Sequence, residues 1–315
     1  MPTLLDQLQS LLSARTANRP RRFHRLRSIW EGRTTRRRLI HARLRPRTTG
    51  ATATLTATQP MRFWENGWID LTRHEIPIGL QRPLRVLHLS DLHASRVVSL
   101  GYLQRVIELG LEHQPELICL TGDFITWKYR AYDSYAAVLA RLSATAPTFA
   151  CLGNHDGGPW AAKGRLGYDS SHLVRQLLRQ AGVTLLHNRG RTVRIADQAL
   201  NLVGVGDPWN EECRPDLAFA GSRDGRAPTV VLSHNPDTKD ALLAHDWSLM
   251  LSGHTHGGQV FLPGIGALLA PVRDKHCVRG LHFWNQRWVH ITKGVGNLHG
   301  LRLNCRPEIS LLTLT

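Results

Sequence analysis

Five short motifs carry the residues of this chain that could do chemistry: Ser90-Asp91-Leu92-His93, Gly122-Asp123, Gly153-Asn154-His155-Asp156, Ser233-His234-Asn235 and Gly253-His254-Thr255-His256. Each sets Asp, Asn or His beside small residues, at the end of an apolar run that reads as a buried strand. Two adjacent divalent cations need about seven oxygen and nitrogen donors on rigid neighbouring elements. Asp91, His93, Asp123, Asn154, His234, His254 and His256 supply that set. Singly, a D-x-H, a Gly-Asp or a His-x-His has an ordinary explanation as a turn or a surface group. Five such motifs in succession, all at strand ends, do not. The mixed donors suit Mn²⁺, Zn²⁺ or Fe without choosing among them. The lack of a cysteine ligand argues against a structural zinc site.

The elements that must position these residues follow from the apolar periodicity. From residue 84, strands at Leu84–Leu89, Glu116–Leu120 and Thr148–Leu152 alternate with helices at Tyr102–His113, Ser134–Ser143 and Ser170–Gln180. Beyond residue 183 strands dominate: 183–187, 191–195, 200–205, 229–232, 248–251, 259–262, 286–292 and 309–314. The pattern predicts an α/β fold of two packed mixed β-sheets flanked by helices. Residues 61–82 read as a lead-in hairpin or edge strand, limited by Pro77 and Pro83.

The 315 residues carry a formal charge of +16, unevenly placed. Residues 1–60 hold thirteen Arg, no Lys and only Asp6 and Glu31 as acids, a net +11. Leu4, Leu5, Leu8, Leu11 and Leu12 have helical spacing, and a Thr/Ala-rich linker closes the segment. This divides the chain into a basic arm at 1–60 and a catalytic domain at 61–315, long enough to bury a sizeable core. Residues 1–47 suit an anionic membrane surface; a solvated tail and a nonspecific phosphate-binding arm are the other readings. The modest charge of 61–315 argues against a nucleic-acid groove. The five cysteines form no C-x-x-C pair and are expected to be reduced thiols. With no apolar run near ~20 residues, the chain is expected to be cytoplasmic, soluble or peripheral on the membrane.

The five motifs together resemble the calcineurin-like metallophosphoesterases, whose pattern D-x-H, G-D, G-N-H-D/E, H and G-H-x-H is met at every position over roughly residues 84–315. Gly253–Gln259, Ser233–Asp237 and Leu303-Asn304-Cys305-Arg306-Pro307-Glu308-Ile309 resemble the bacterial membrane-associated branch. That branch includes phosphodiesterases and a UDP-2,3-diacylglucosamine pyrophosphohydrolase of lipid A synthesis. The resemblance implies a four-layer α-β-β-α sandwich and a phosphorylated, lipid-linked substrate. It also implies roles. One cation would take Asp91, His93, Asp123 and His256, and the other Asp123, Asn154, His234 and His254, with Asp123 bridging. His155 would protonate the leaving oxygen, oriented by Asp156. Of the neighbouring features, Trp160, Lys163 and Arg165 are candidates for a covering loop, Arg302 is a candidate phosphate contact, and Asp207 reads as a turn residue.

Overall fold

The computed structural model describes residues 68–221, 225–262, 266–267, 270–298, 300 and 302–315. The basic arm and its expected amphipathic helix lie outside these residues. In chain order the elements are β1 (Asp70–Ile76), β2 (Leu84–Leu89), α1 (Leu100–Leu111), β3 (Leu117–Thr121), α2 (Tyr132–Thr145), β4 (Thr148–Cys151), α3 (Pro159–Ala162), α4 (His172–Gln180), β5 (Thr184–Leu185), β6 (Arg189–Ile195), β7 (Gln198–Gly204), α5 (Pro215–Ala220), β8 (Thr229–Leu232), β9 (Leu249–Ser252), β10 (Phe261–Leu262), β11 (Gly266–Ala267), β12 (Gly280–Trp284), β13 (Arg287–Ile291) and β14 (Glu308–Leu314). They build two six-stranded mixed sheets, ordered β1-β14-β2-β3-β4-β5 and β12-β13-β9-β8-β7-β6.

Alternation along the strands assigns each side chain to a layer. On β2, Leu87 and Leu89 face the helices, where they meet Leu103 and Ile107 of α1, Leu139 of α2 and Leu177 of α4. Leu84 and Val86 point the other way, into the layer between the sheets, against Leu200, Val230, Leu249 and Leu251. The outer face of the second sheet buries Val203, Val231, Met250 and Val289 beneath Ala218 of α5, Leu242 and Trp247. The result is helices, sheet, sheet, and a thin outer layer. Because β3, β4 and β9 are buried on both faces, they read as unbroken apolar runs rather than alternating ones.

Two details depart from the sequence expectations. The expected strand at 259–262 contracts to Phe261–Leu262, which pairs with Gly266–Ala267 while Val260 bridges Leu303; Gln259, with a left-handed φ of 54°, marks its start. Strands β11 and β12 and helices α3 and α5 are additional. Of the two forms expected for the lead-in segment, its described residues take the edge strand, β1, which runs parallel to the C-terminal β14 in the register Asp70↔Glu308.

The layer between the sheets also holds two buried histidines. His88 Nδ1 lies 3.0 Å from His290 Nδ1, and His88 Nε2 lies 2.8 Å from Thr121 Oγ1. Burial pushes His88 down to about 3, and burial together with the His88 charge pushes His290 well below the ordinary histidine range. Both rings are therefore neutral in the fold, while the unfolded chain protonates them near pH 6.5. Their stabilisation is complete above that pH and is lost as pH falls from 6.5 toward 3, with a slope of up to about 1.4 kcal/mol per pH unit for each ring. Urea unfolding of the H88L/H290L variant between pH 7.5 and 5 should show a shallower loss of stability than the parent chain. Equal slopes would remove these rings as the cause.

Candidate metal centre

The topology brings the five motifs to one place. Strands β2, β3 and β4 are parallel neighbours in the first sheet, as are β8 and β9 in the second. Their carboxyl ends therefore lie on one edge, where α/β sheets ordinarily present ligand groups. The loops then cross-link. The Asp91 amide donates to the Gly122 carbonyl (3.0 Å) and the His93 amide to the Asp123 carbonyl (2.9 Å). Within the second sheet, the Gly253 amide donates to the His234 carbonyl (3.0 Å). The His254 amide donates to the Asp91 carboxylate at 3.1–3.2 Å.

Close approach sets the glycines. A Cβ on Gly153 would overlap Asp123 Oδ1 and its amide nitrogen, and one on Gly253 would overlap the Ser90 hydroxyl and the Asp91 carboxylate. The turns are also strained. Asp91, His93, Asp123, His254 and His256 all have positive φ, between 48° and 69°. Such conformations cost non-glycine residues of order 1–3 kcal/mol each and persist only where the surroundings over-determine them.

The side chains form two overlapping groups. The ligand atoms of Asp91, His93 and His256 lie within 4.8 Å of one another, as do those of Asp91, Asp123 and His234. His93 Nε2 stands 3.1 Å from His256 Nε2, and His256 Nε2 stands 3.3 Å from Asp91 Oδ1. Asp123 Oδ2 is 3.1 Å from His234 Nε2 and 3.5 Å from His93 Nε2. The His254 Nδ1 atom lies 3.2 Å from His234 Nε2. The resemblance gives the shared place to Asp123; the residue common to the two groups is Asp91, with Asp123 Oδ2 also 3.5 Å from His93. Asn154 is buried, and its Oδ1 atom has no hydrogen-bond partner among the described residues. An orphaned buried carbonyl is costly, and a cation satisfies it. Carboxylates, an amide oxygen and imidazoles converging in this way fit two divalent ions.

The electrostatics point the same way. Burial, with the Asp123 charge adding to it, raises Asp91 to about 6, although His234 opposes the shift. Burial also works to raise Asp123, but the neighbouring His234 and His155 outweigh it and hold that carboxyl well below its usual range. Burial lowers His93 and His254 to about 3. His234 rises to about 10 because the carboxylates overcome its burial, Asp123 foremost. His234 thus pairs with Asp123 as the cationic partner of this cluster.

His155 sits at the edge of this cluster, half-buried, its ring edge-on to His93 at 5.1 Å. Its amide donates to Asp123 Oδ1 (2.9 Å). Its Nδ1 lies 2.9 Å from the Thr126 carbonyl, which can only accept, so Nδ1 carries the proton. Asp156 does not orient this ring as expected. Its carboxylate accepts from the amides of Asp123, Phe124 and Gly153 at 2.7–2.9 Å, fastening two motif loops together. The correction has a local cause: successive side chains of a tight turn point in different directions, so adjacency in sequence does not give contact.

Arg302 is a second correction. It is fully buried, and its terminal nitrogens are held by the protein. Its guanidinium donates to the carbonyls of Lys293, Gly294, Gly296 and Cys305 and lies 3.2 Å from His256 Nδ1. Asp207 keeps its turn role, accepting from the Trp209 amide at 2.8 Å. The next residues escaped sequence reasoning. The Asn210 side chain accepts from the Trp160 amide (3.0 Å) and donates to the carbonyls of Asn154 and Gly157 (3.3 Å each). Trp209 stands edge-on to His254 at 4.3 Å, and Trp160 lies between it and His155, at 5.2 and 4.9 Å. The one available signal was Gly206-Asp207-Pro208-Trp209-Asn210 at the end of a strand.

Comparison with known proteins agrees with this geometry. The sequence profile of the calcineurin-like phosphoesterases matches residues 84–258. Phosphodiesterase YaeI of Escherichia coli K12 is 39% identical over 89% of this chain and 98% of its own length. The uncharacterized metallophosphoesterase YkuE of Bacillus subtilis is 29% identical over 80% of this chain and 88% of its own. UDP-2,3-diacylglucosamine pyrophosphatase LpxG of Chlamydia muridarum is 26% identical over 84% of this chain and 97% of its own. The chain belongs to the calcineurin-like phosphoesterase family and is a phosphoester hydrolase that works with two divalent cations.

Proposed function

We propose that the site hydrolyses a phosphodiester or pyrophosphate bond in a lipid-linked substrate, with UDP-2,3-diacylglucosamine the leading candidate. The observation that carries the hydrolytic reading is the pair of overlapping ligand groups with His155 at their edge. In our assignment Asp91, His93, Asp123 and His256 hold one cation, and Asp123, Asn154, His234 and His254 the other. When bound, two such cations supply Lewis acidity and an activated water. The chain supplies the rest. The Thr126 carbonyl fixes the Nδ1 proton of His155, so proton exchange falls to Nε2. In its protonated form that atom donates to the oxygen leaving the phosphorus. Overall, a water oxygen bonds to the UMP phosphorus, the phosphoanhydride bond breaks, and the products are UMP and 2,3-diacylglucosamine 1-phosphate.

The lipid-linked substrate is supported by the pyrophosphatase among the relatives and by the composition of residues 1–47. The closer identity to a phosphodiesterase favours a second reading, cleavage of soluble diesters at the same centre. Manganese-loaded protein assayed on the UDP-lipid, an aryl phosphodiester and an oligonucleotide separates the two. Release of UMP with the highest kcat/KM is expected. Aryl diester cleavage without UMP release would replace the lipid reading with the soluble one.

We also assign residues 1–60 to a membrane-docking arm and 61–315 to the catalytic domain. No helix among the described residues is long and apolar enough to cross a membrane, so attachment falls to the arm. Deleting residues 1–58 should leave aryl diester turnover intact and weaken cosedimentation with anionic vesicles. Undiminished vesicle binding would refute the docking role.

The site assignments make a paired prediction. D123A should lose both cations in metal analysis. H155A should keep them while its turnover falls ~10²–10⁴-fold, the range for loss of a general acid. Two tightly held cations in D123A would refute the bridge, and metal loss in H155A would make His155 a ligand.

A further inference from the structure

Trp209 meets His254 in an edge-on contact and also lines a cavity of about 580 Å³. Cys213, Pro215, Ala241, Pro271 and Val272 complete its apolar wall, and Arg273 and Lys275 stand at its mouth. The volume falls within the ~300–1,000 Å³ of small-molecule sites. A larger cavity of about 810 Å³, by Pro77, Phe283 and Trp288, lies at the opposite strand ends, away from the ligand groups.

The apolar cavity is joined to the metal centre by more than nearness. Asn235 lines it and directly follows His234. Trp209 is held by Asp207, while Asn210 ties the same loop to the carbonyls of Asn154 and Gly157. One loop thus fixes both the cavity wall and the turn that presents Asn154. Much of the polar lining is engaged, although the buried Thr238 hydroxyl has no hydrogen-bond partner among the described residues. Asn235 Oδ1 accepts from the Asp237 amide, and the Asp237 carboxylate accepts from the amides of Arg273 and Asp274. Few partners remain for the edge of a nucleobase, and the wall is suited to an aliphatic group. The exposed cations at the mouth suit the anionic phosphate to which that group is attached.

We propose that this cavity is the subsite for an alkyl or acyl arm of the phosphodiester substrate, seated against Trp209 while the phosphorus lies at the metal centre. The inference rests on the diester hydrolysis proposed above. The test is a series of p-nitrophenyl alkyl phosphodiesters, methyl to decyl, below their aggregation concentrations, with manganese-loaded full-length protein. Each added methylene should raise kcat/KM about three- to fourfold until the cavity is filled, the factor for burying one methylene. Ala241 is exposed, so A241W can place an indole in the cavity without disturbing the core. Its octyl-to-methyl ratio of kcat/KM should fall at least tenfold, with metal content equal to the parent's. Free n-octyl phosphate should compete at lower concentration than methyl phosphate in the parent, and lose that advantage in A241W. A flat series with the methyl diester turned over would overturn the subsite and leave the reaction standing, as would an unchanged ratio in A241W. Failure to cleave any diester would overturn the reaction, and the subsite with it.

Discussion

Two carboxylates, Asp91 and Asp123, are buried side by side at the seam between the sheets. Removing carboxylates from water is expensive, and two like charges in contact cannot both ionise without compensation. The surroundings are arranged around that difficulty. His93, His254 and His256 are buried and kept neutral, ready as lone-pair donors but unable to offset charge. His234 alone takes up a proton, largely because of Asp123. Two divalent cations resolve the same imbalance more completely, and the orphaned amide oxygen of Asn154 stands in the turn beside Asp123. The left-handed backbone of five of these residues belongs to the same account, since such strain persists where the surroundings over-determine it.

The parallel strand order makes this assembly possible. An antiparallel arrangement would send alternate loops to opposite edges. Here β2, β3, β4, β8 and β9 each end at the same edge, and the hydrogen bonds between loops run across the seam as well as along it. Asp156 and Arg302 extend the network outward. The first bonds three amides of two loops in the first sheet. The second gathers carbonyls from the 293–296 segment and from Cys305 beneath His256. Neither has to touch substrate for its loss to displace a ligand.

The clustering of the five motifs was legible in the sequence because each motif is local. A buried apolar run announces the strand, and the residue types at its end announce the chemistry. The sheet-and-helix layering was legible for the same reason, since a periodicity of two or of 3.6 survives in a single segment. What escaped depends on contacts between distant segments. Arg302 lies 46 positions from His256, and nothing near it in sequence distinguishes a buried structural guanidinium from a phosphate-binding one. The carbonyl of Thr126 holds His155 through a backbone atom, which no residue type reveals. The pairing of β1 with β14 joins the two ends of the catalytic domain, a register that only the closed sheet defines. Asp156 failed in the opposite sense: nearness in sequence suggested a contact that the turn prevents.

Chemistry and selectivity then occupy different materials. The donors that act on phosphorus are buried and held by backbone on both sides, so substitutions there change reactivity first. The groups around them are aromatic and half-exposed. Trp160 spans His155 and Trp209, Arg165 lies 4.1 Å over the Trp160 ring, and Trp209 reaches His254. Such rings offer large contact area at a small cost in side-chain freedom and few obligatory hydrogen bonds. They can therefore change partner without leaving a buried polar atom unsatisfied. Asn210 is the exception, a polar hinge between the two materials, because it positions the tryptophan wall and the Asn154 turn with one side chain. A substrate arm pressing on that wall acts on the loop that Asn210 ties to the Asn154 turn. Affinity for the arm is thereby converted into placement of the reacting phosphorus, and a pocket outside the metal centre can influence turnover as well as binding.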